Sequence, residues 1–176
     1  LFVIPKESPP NALSLTGSSD QYNSEVVYGL NLTAKIPEVN FTDSHNLLGF
    51  WKETIPLLKR INNPEPPPIG EYVRLSIVDK GRNFMSKLTT LPDDGQTWDV
   101  ELYSTIPNSV AQVTLSELGQ IPSGFQGYVL DKDNFNVIPL TEEQFSVQLG
   151  EAFQKRSLKI IIGTKEYAEQ HSRGIP

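Results

Sequence analysis

Apolar residues occupy every second position in a series of short stretches. That spacing buries one face of a β-strand and leaves the other wet. Tyr28, Leu30, Leu32 and Ala34 share one face of the first stretch with Val26, while Val27, Gly29, Asn31 and Thr33 share the other. Val73, Leu75 and Ile77 repeat the pattern at 72–78, and Trp98, Val100 and Leu102 alternate with Thr97, Asp99 and Glu101 at 97–104. Ala111, Val113 and Leu115 do so at 109–115, and Leu158, Ile160 and Ile162 at 157–162. Further strands are expected at 12–16, 84–89, 125–131 and 135–139. Turn chemistry separates them: Asp94-Gly95, Ser123-Gly124, Asp131 to Asn134, and Gly163. Many short strands so spaced predict an all-β fold, an antiparallel β-sandwich of immunoglobulin-like or jelly-roll-like type.

Two stretches depart from this period. In 46–61, Leu47, Trp51, Ile55 and Leu58 fall at helical spacing, but Pro56 interrupts a helix. A long loop is therefore expected at about 35–70, with one helical turn lying over the sheet. In 141–155, Thr141 and Gln144 resemble a capping box, and Phe145, Leu149 and Phe153 recur every four residues. Phe145, Val147 and Leu149 also alternate, and the neighbouring strands favour a strand there. Residues 1–11 hold three prolines and read as a linker or edge segment. Residues 12–164 then form a single sandwich domain, and 165–176 a tail or linker that can open with a short helix. Pro64 to Pro68 favours polyproline II, a stiff lead-in to the strand at 72.

Composition narrows the chemistry. The 176 residues are 38% hydrophobic and 20% charged, the balance of a globular chain. A formal charge of −6 with no basic cluster argues against nucleic acid. No run approaches the roughly 18 apolar residues of a spanning helix, so no membrane insertion is expected. Without cysteine there is no disulfide, thiolate metal site or thiol nucleophile. His45 and His171 have no catalytic partner nearby in sequence, and no G-x-S-x-G, P-loop or G-x-G-x-x-G occurs. An enzyme is not expected.

Three candidate chemistries remain. Asp131-x-Asp133-Asn134-x-Asn136 offers hard oxygens, with Glu142 at the twelfth position, so a structural calcium is the candidate cofactor. Phe135 at the fifth position and Asn136 in place of glycine depart from a helix-flanked calcium loop. A second acidic loop, Asp43 to Asn46, is a further ion candidate. Asp99 and Glu101 share the wet face of one strand with Cα atoms roughly 7 Å apart, which leaves a small glycoside hydrolase or an esterase as a remote alternative. The third chemistry is carbohydrate stacking, in which an aromatic ring covers the apolar face of a sugar. Phe50 and Trp51 in the expected loop and Tyr103 on the wet strand face are its candidate contacts, whereas Trp98 is assigned to the core.

Taken in order, Tyr28-Gly-Leu-Asn-Leu-Thr-Ala34, Pro64-Glu-Pro-Pro-Pro-Ile-Gly-Glu-Tyr-Val-Arg-Leu-Ser-Ile77, Trp98-Asp-Val-Glu-Leu102, Gly127-Tyr-Val-Leu-Asp131 and Arg156-Ser-Leu-Lys-Ile-Ile-Ile-Gly-Thr164 carry a resemblance. Over about 26–164 the chain resembles the β-sandwich module that precedes the type A sorting domain of the type IX secretion system, in secreted and surface proteins of gliding and related bacteria. The resemblance implies a non-catalytic sandwich, secreted or held at the bacterial cell surface, beside catalytic or adhesive neighbouring domains of one polypeptide. The expectation is thus an accessory module that binds polysaccharide in the manner of a carbohydrate-binding module. A purely structural spacer or adhesion domain is the rival.

Overall fold

A computed structural model describes residues 26–52 and 62–172. The expected linker at 1–11, the strand at 12–16, and residues 53–61 with Pro56 lie outside the described residues. The strands are β1 (Val26–Ile36), β2 (Phe41–Trp51), β3 (Val73–Asp79), β4 (Arg82–Phe84), β5 (Ser86–Thr90), β6 (Gly95–Ser104), β7 (Val110–Leu118), β8 (Gln126–Asp131), β9 (Asn136–Pro139), β10 (Gln144–Gln148) and β11 (Arg156–Gly163). A helix, α1 (Lys165–Ser172), follows.

The strands form two sheets, in the order β10-β7-β1-β2-β5 and β4-β3-β6-β11-β8-β9. The period-two residues do what their spacing requires. Leu30, Leu32, Ala34, Val113 and Val147 of the first sheet meet Leu75, Val100, Leu102, Leu158 and Ile160 of the second in one buried core. The fold is the expected all-β sandwich. Pairing is antiparallel throughout, except that β5 runs parallel to β2. This exception arises at Met85, where 82–90 crosses from one sheet to the other. The Met85 carbonyl accepts from Leu47 of the first sheet, and its N–H donates to Asn63 beside β4.

The loop expected at 35–70 is in large part a strand. Residues 41–51 pair with β1 across a turn at 37–40. A β-bulge hides this strand from a period-two reading. Asn46 pairs with Leu32 and Asp43 with Ala34, so Ser44 and His45 share the space of one residue. His45 takes a left-handed φ of 71° there. Beyond the bulge the inward set is Asn46, Leu48 and Phe50, which is out of step with Phe41 and Asp43. The ambiguous 144–148 is the strand its neighbours suggested, with Val147 buried. The expected tail begins as α1, which packs Ala168 against Leu130 and Ile161 on the outer face of the second sheet. Gly95 and Gly163 admit the Tyr167 ring beneath the helix, because a Cβ on either would sit within 2.7 Å of it.

Candidate ligand-binding face

The outer face of the second sheet divides between its two ends. Near Gly163, α1 covers β8 and β11. At the opposite end β3 begins, β6 finishes and β11 begins, and there Tyr72, Tyr103 and Glu101 are half-buried, while Arg74 and Ser76 lie buried beside the proline-rich lead-in. These positions follow from the alternation of β3 and β6. Val73 and Leu75 point inward, so Tyr72, Arg74 and Ser76 point outward; Leu102 and Val100 point inward, so Tyr103 and Glu101 point outward.

Arg74 and Tyr103 are cross-strand partners. The Tyr72 and Tyr103 rings meet edge to face, with centroids 6.1 Å apart. Burial raises the Tyr103 phenol above its ordinary value, partly opposed by Arg74. Glu65, from the proline-rich lead-in, receives Arg74 Nε at 2.8 Å and the Ser76 hydroxyl. The Pro66 carbonyl accepts from Arg74 Nη2. The lead-in is fixed in turn by a bridge between Pro64 and Phe84. On the other flank, Lys155 Nζ lies 2.6 Å from Glu101 and 5.9 Å from the Tyr103 ring centroid. Glu101 holds the Lys155 ammonium above its ordinary value. Thr42, Asp43, Glu65, Tyr72, Arg74 and the 66–69 segment line an adjoining shallow, open cleft of about 190 Å³. The result is an aromatic pair on a rigid sheet between two ion pairs, with apolar ring surface beside donors and acceptors of both signs.

Of the three sequence-predicted contacts, the structure keeps Tyr103 at this face and removes the other two. Phe50 is 0% exposed, inside the sandwich, 5.5 Å from the Trp98 ring and 6.0 Å from the Phe125 ring. Trp51 is 2% exposed and packs with Leu88 and Val26 in a smaller cluster. Neither ring presents a face to a ligand. They are adjacent aromatics of a buried strand, not of a loop, so one points into the sandwich and the next packs on the other side of the sheet. Trp98 is in the core as expected. Tyr72, Arg74 and Glu65 were not singled out from the sequence. Tyr72 and Arg74 occupy the wet positions of the predicted strand at 72–78, which is the signal that could have found them.

The calcium candidates sit in a real turn, but its oxygens are engaged. Asp131 Oδ1 accepts the backbone N–H groups of Asp133 and Asn134, and Oδ2 accepts the Asn134 side-chain amide. Arg156 Nη2 lies 3.3 Å from both Asp131 oxygens, and its Nε lies 3.2 Å from Asp133. Asp133 also accepts from the Ser157 N–H. The Arg156 guanidinium thus bridges Asp131 and Asp133, and Asn136 begins β9. Among the described residues, no group of three or more His, Asp or Glu side chains is arranged to hold a metal ion. In the second acidic loop, Asp43 accepts from the Leu75 N–H, and Asn46 is buried, donating to the Leu32 carbonyl. Asp99 and Glu101 are each ion-paired, with Lys132 and Lys155. No helix among the described residues is long and apolar enough to cross a membrane. Compared with protein-family models, curated proteins and solved structures, the chain matches none.

Proposed function

We propose that the chain is a non-catalytic accessory module of an exported multidomain bacterial protein, and that it holds a polysaccharide against the Tyr103 end of its second sheet. The observation that carries this reading is the Tyr72–Tyr103 pair, half-buried on a rigid sheet and flanked by Glu65–Arg74 and Glu101–Lys155. Such rings remove the C–H face of a sugar from water, while the exposed Glu101–Lys155 pair supplies hydrogen-bonding groups for its hydroxyls and the buried Glu65–Arg74 pair fixes the rings' surroundings. The strands hold both in place, so little ordering cost falls on binding. The placement beside catalytic or adhesive domains follows from the resemblance to type IX-associated modules.

Affinity electrophoresis through gels containing cellulose derivatives, xylan, mannan or mixed-linkage β-glucan tests the reading. Retardation by at least one of them is expected, and Tyr103→Ala abolishes it with the fold intact. The burial of Phe50 and Trp51 favours the rival, a structural spacer or adhesion domain, because it removes two of three anticipated contacts. Unchanged migration in every gel selects that rival.

A further inference from the structure

The three most exposed large apolar side chains among the described residues are Ile69 (94%), Phe135 (61%) and Phe153 (60%), and all three emerge at the Tyr103 end of the second sheet. Ile69 precedes β3, Phe153 precedes β11, and Phe135 lies in the turn joining β8 to β9. Both phenylalanines have left-handed backbone, with φ of 65° at Phe153 and 56° at Phe135. An aromatic side chain is uncommon there, where glycine or asparagine fits without strain.

The surroundings hold both in place. Phe153 donates its N–H to the Ser104 carbonyl, next to Tyr103. The turn bearing Phe135 is organised by Asp131 and tied through Arg156 to the loop bearing Phe153. Left-handed backbone held by a backbone bond at Phe153 and by the Asp131 network at Phe135 fixes where each ring projects. The strands run β3-β6-β11-β8-β9 side by side. Tyr72, Tyr103, Phe153 and Phe135 are therefore spread across three to four strand spacings, roughly 14–19 Å.

From this placement, and resting on the glycan reading above, we infer that the ligand is an extended chain of at least four sugars, bound along its length by Tyr72, Tyr103, Phe153 and Phe135 in succession. An extended β-linked glycan advances by about one strand spacing per sugar, so a row of rings across a sheet end matches its repeat. The charges along the row favour a neutral chain. Lys132, Lys155 and Arg156 are each paired with Asp99, Glu101 or the Asp131–Asp133 pair, so no unpaired cation among them draws an anionic surface.

Calorimetric titration with β-1,4-linked gluco- and xylo-oligosaccharides of two and six residues tests this. The hexasaccharide is expected to bind more tightly than the disaccharide. Phe135→Asn and Phe153→Asn suit the left-handed backbone, so the fold is retained, and each weakens the hexasaccharide by about two- to tenfold. Neither changes the disaccharide, whereas Tyr103→Ala weakens both. Equal affinity for both lengths, or hexasaccharide binding unmoved in both phenylalanine variants, overturns the extended row and leaves the glycan reading standing. No binding of any saccharide here or in the gels removes both. Sedimentation with phosphatidylcholine vesicles that Phe135→Asn abolishes would assign the row to a lipid surface instead and overturn the inference.

Discussion

The carboxylate of Asp43, on the first sheet, accepts the backbone N–H of Leu75, on the second, at 2.7 Å. The contact closes a gap in the hydrogen-bond ladder. β4 pairs with β3 only from Ile77 to Asp79, so the Leu75 N–H on that side has no strand partner. A buried donor left unpaired costs about 1–3 kcal/mol, and the Asp43 side chain prevents that cost while joining the two sheets.

This arrangement has a pH signature. Burial raises the Asp43 carboxyl above its ordinary value of 3.8, the Leu75 N–H opposes the shift, and Glu65 reinforces it. The folded state thus holds the proton more tightly than the unfolded chain. This group's contribution to stability falls as pH rises through its folded pKa, and it is most favourable below about 3.8. Asp43→Asn keeps an acceptor for Leu75 and removes the charge. It is expected to be at least as stable as the parent at pH 7, with the difference vanishing towards pH 4. Asp43→Ala is expected to lose about 1–3 kcal/mol at pH 7. Urea denaturation of the three proteins at both pH values checks the order.

Truncating the aromatics of β2 separates core from platform. Phe50→Ala and Trp51→Ala are each expected to cost about 3–5 kcal/mol in urea denaturation, because both rings are buried. Tyr103→Ala, at a half-buried outer position, is expected to cost clearly less. A Trp51→Ala protein of parental stability would contradict the burial described here.

The contrast between Trp51 and Tyr103 shows how much the sequence discloses. Where a strand keeps period two, as in β3 and β6, both its inward core and its outward residues are legible, and that pattern alone places Tyr103 on the outer face. In β2 the two-for-one bulge at Ser44 and His45 shifts the phase. Beyond it both faces are buried from Leu48 to Trp51, so no polar alternation marks the strand, and it reads as a loop with exposed aromatics. The alliance of Arg156 with Asp131 and Asp133 was illegible for another reason. Arg156 lies 25 residues from Asp131 in sequence, and no local pattern records that its guanidinium will engage that carboxylate. Glu65 reaches Arg74 and Ser76 only because a proline-rich segment runs beside β4, a tertiary fact without periodicity.

Arg156 is expected to be what the Asp131 turn depends on. Arg156→Met leaves Asp131 without its cationic partner and is expected to cost about 1.5–3 kcal/mol. Arg156→Lys recovers only part, because a point charge cannot address two carboxylates as a planar fork does. The parent melting temperature is expected to be the same in calcium and in chelator, since the Asp131 oxygens are already occupied. Calorimetric melting of the parent and both variants in each condition checks all three statements.

Gly95 tests the seat of α1. A Cβ there would lie 2.4 Å from the Tyr167 ring and 2.7 Å from the Gly163 Cα. Gly95→Ala is expected to destabilise by about 1–3 kcal/mol. Adding Tyr167→Ala does not restore the loss, because the Gly163 backbone remains in the way. Full rescue in the double variant, measured by urea denaturation, would place the clash on the ring alone.

Backbone amide NMR during titration with a β-1,4-linked hexasaccharide tests the functional account most directly. The account predicts shifts that saturate together at 72–74, 101–103, 134–136 and 153–155, with residues 48–51 unmoved. Amides that stay still at saturating saccharide, or shifts confined to the first sheet, would contradict it.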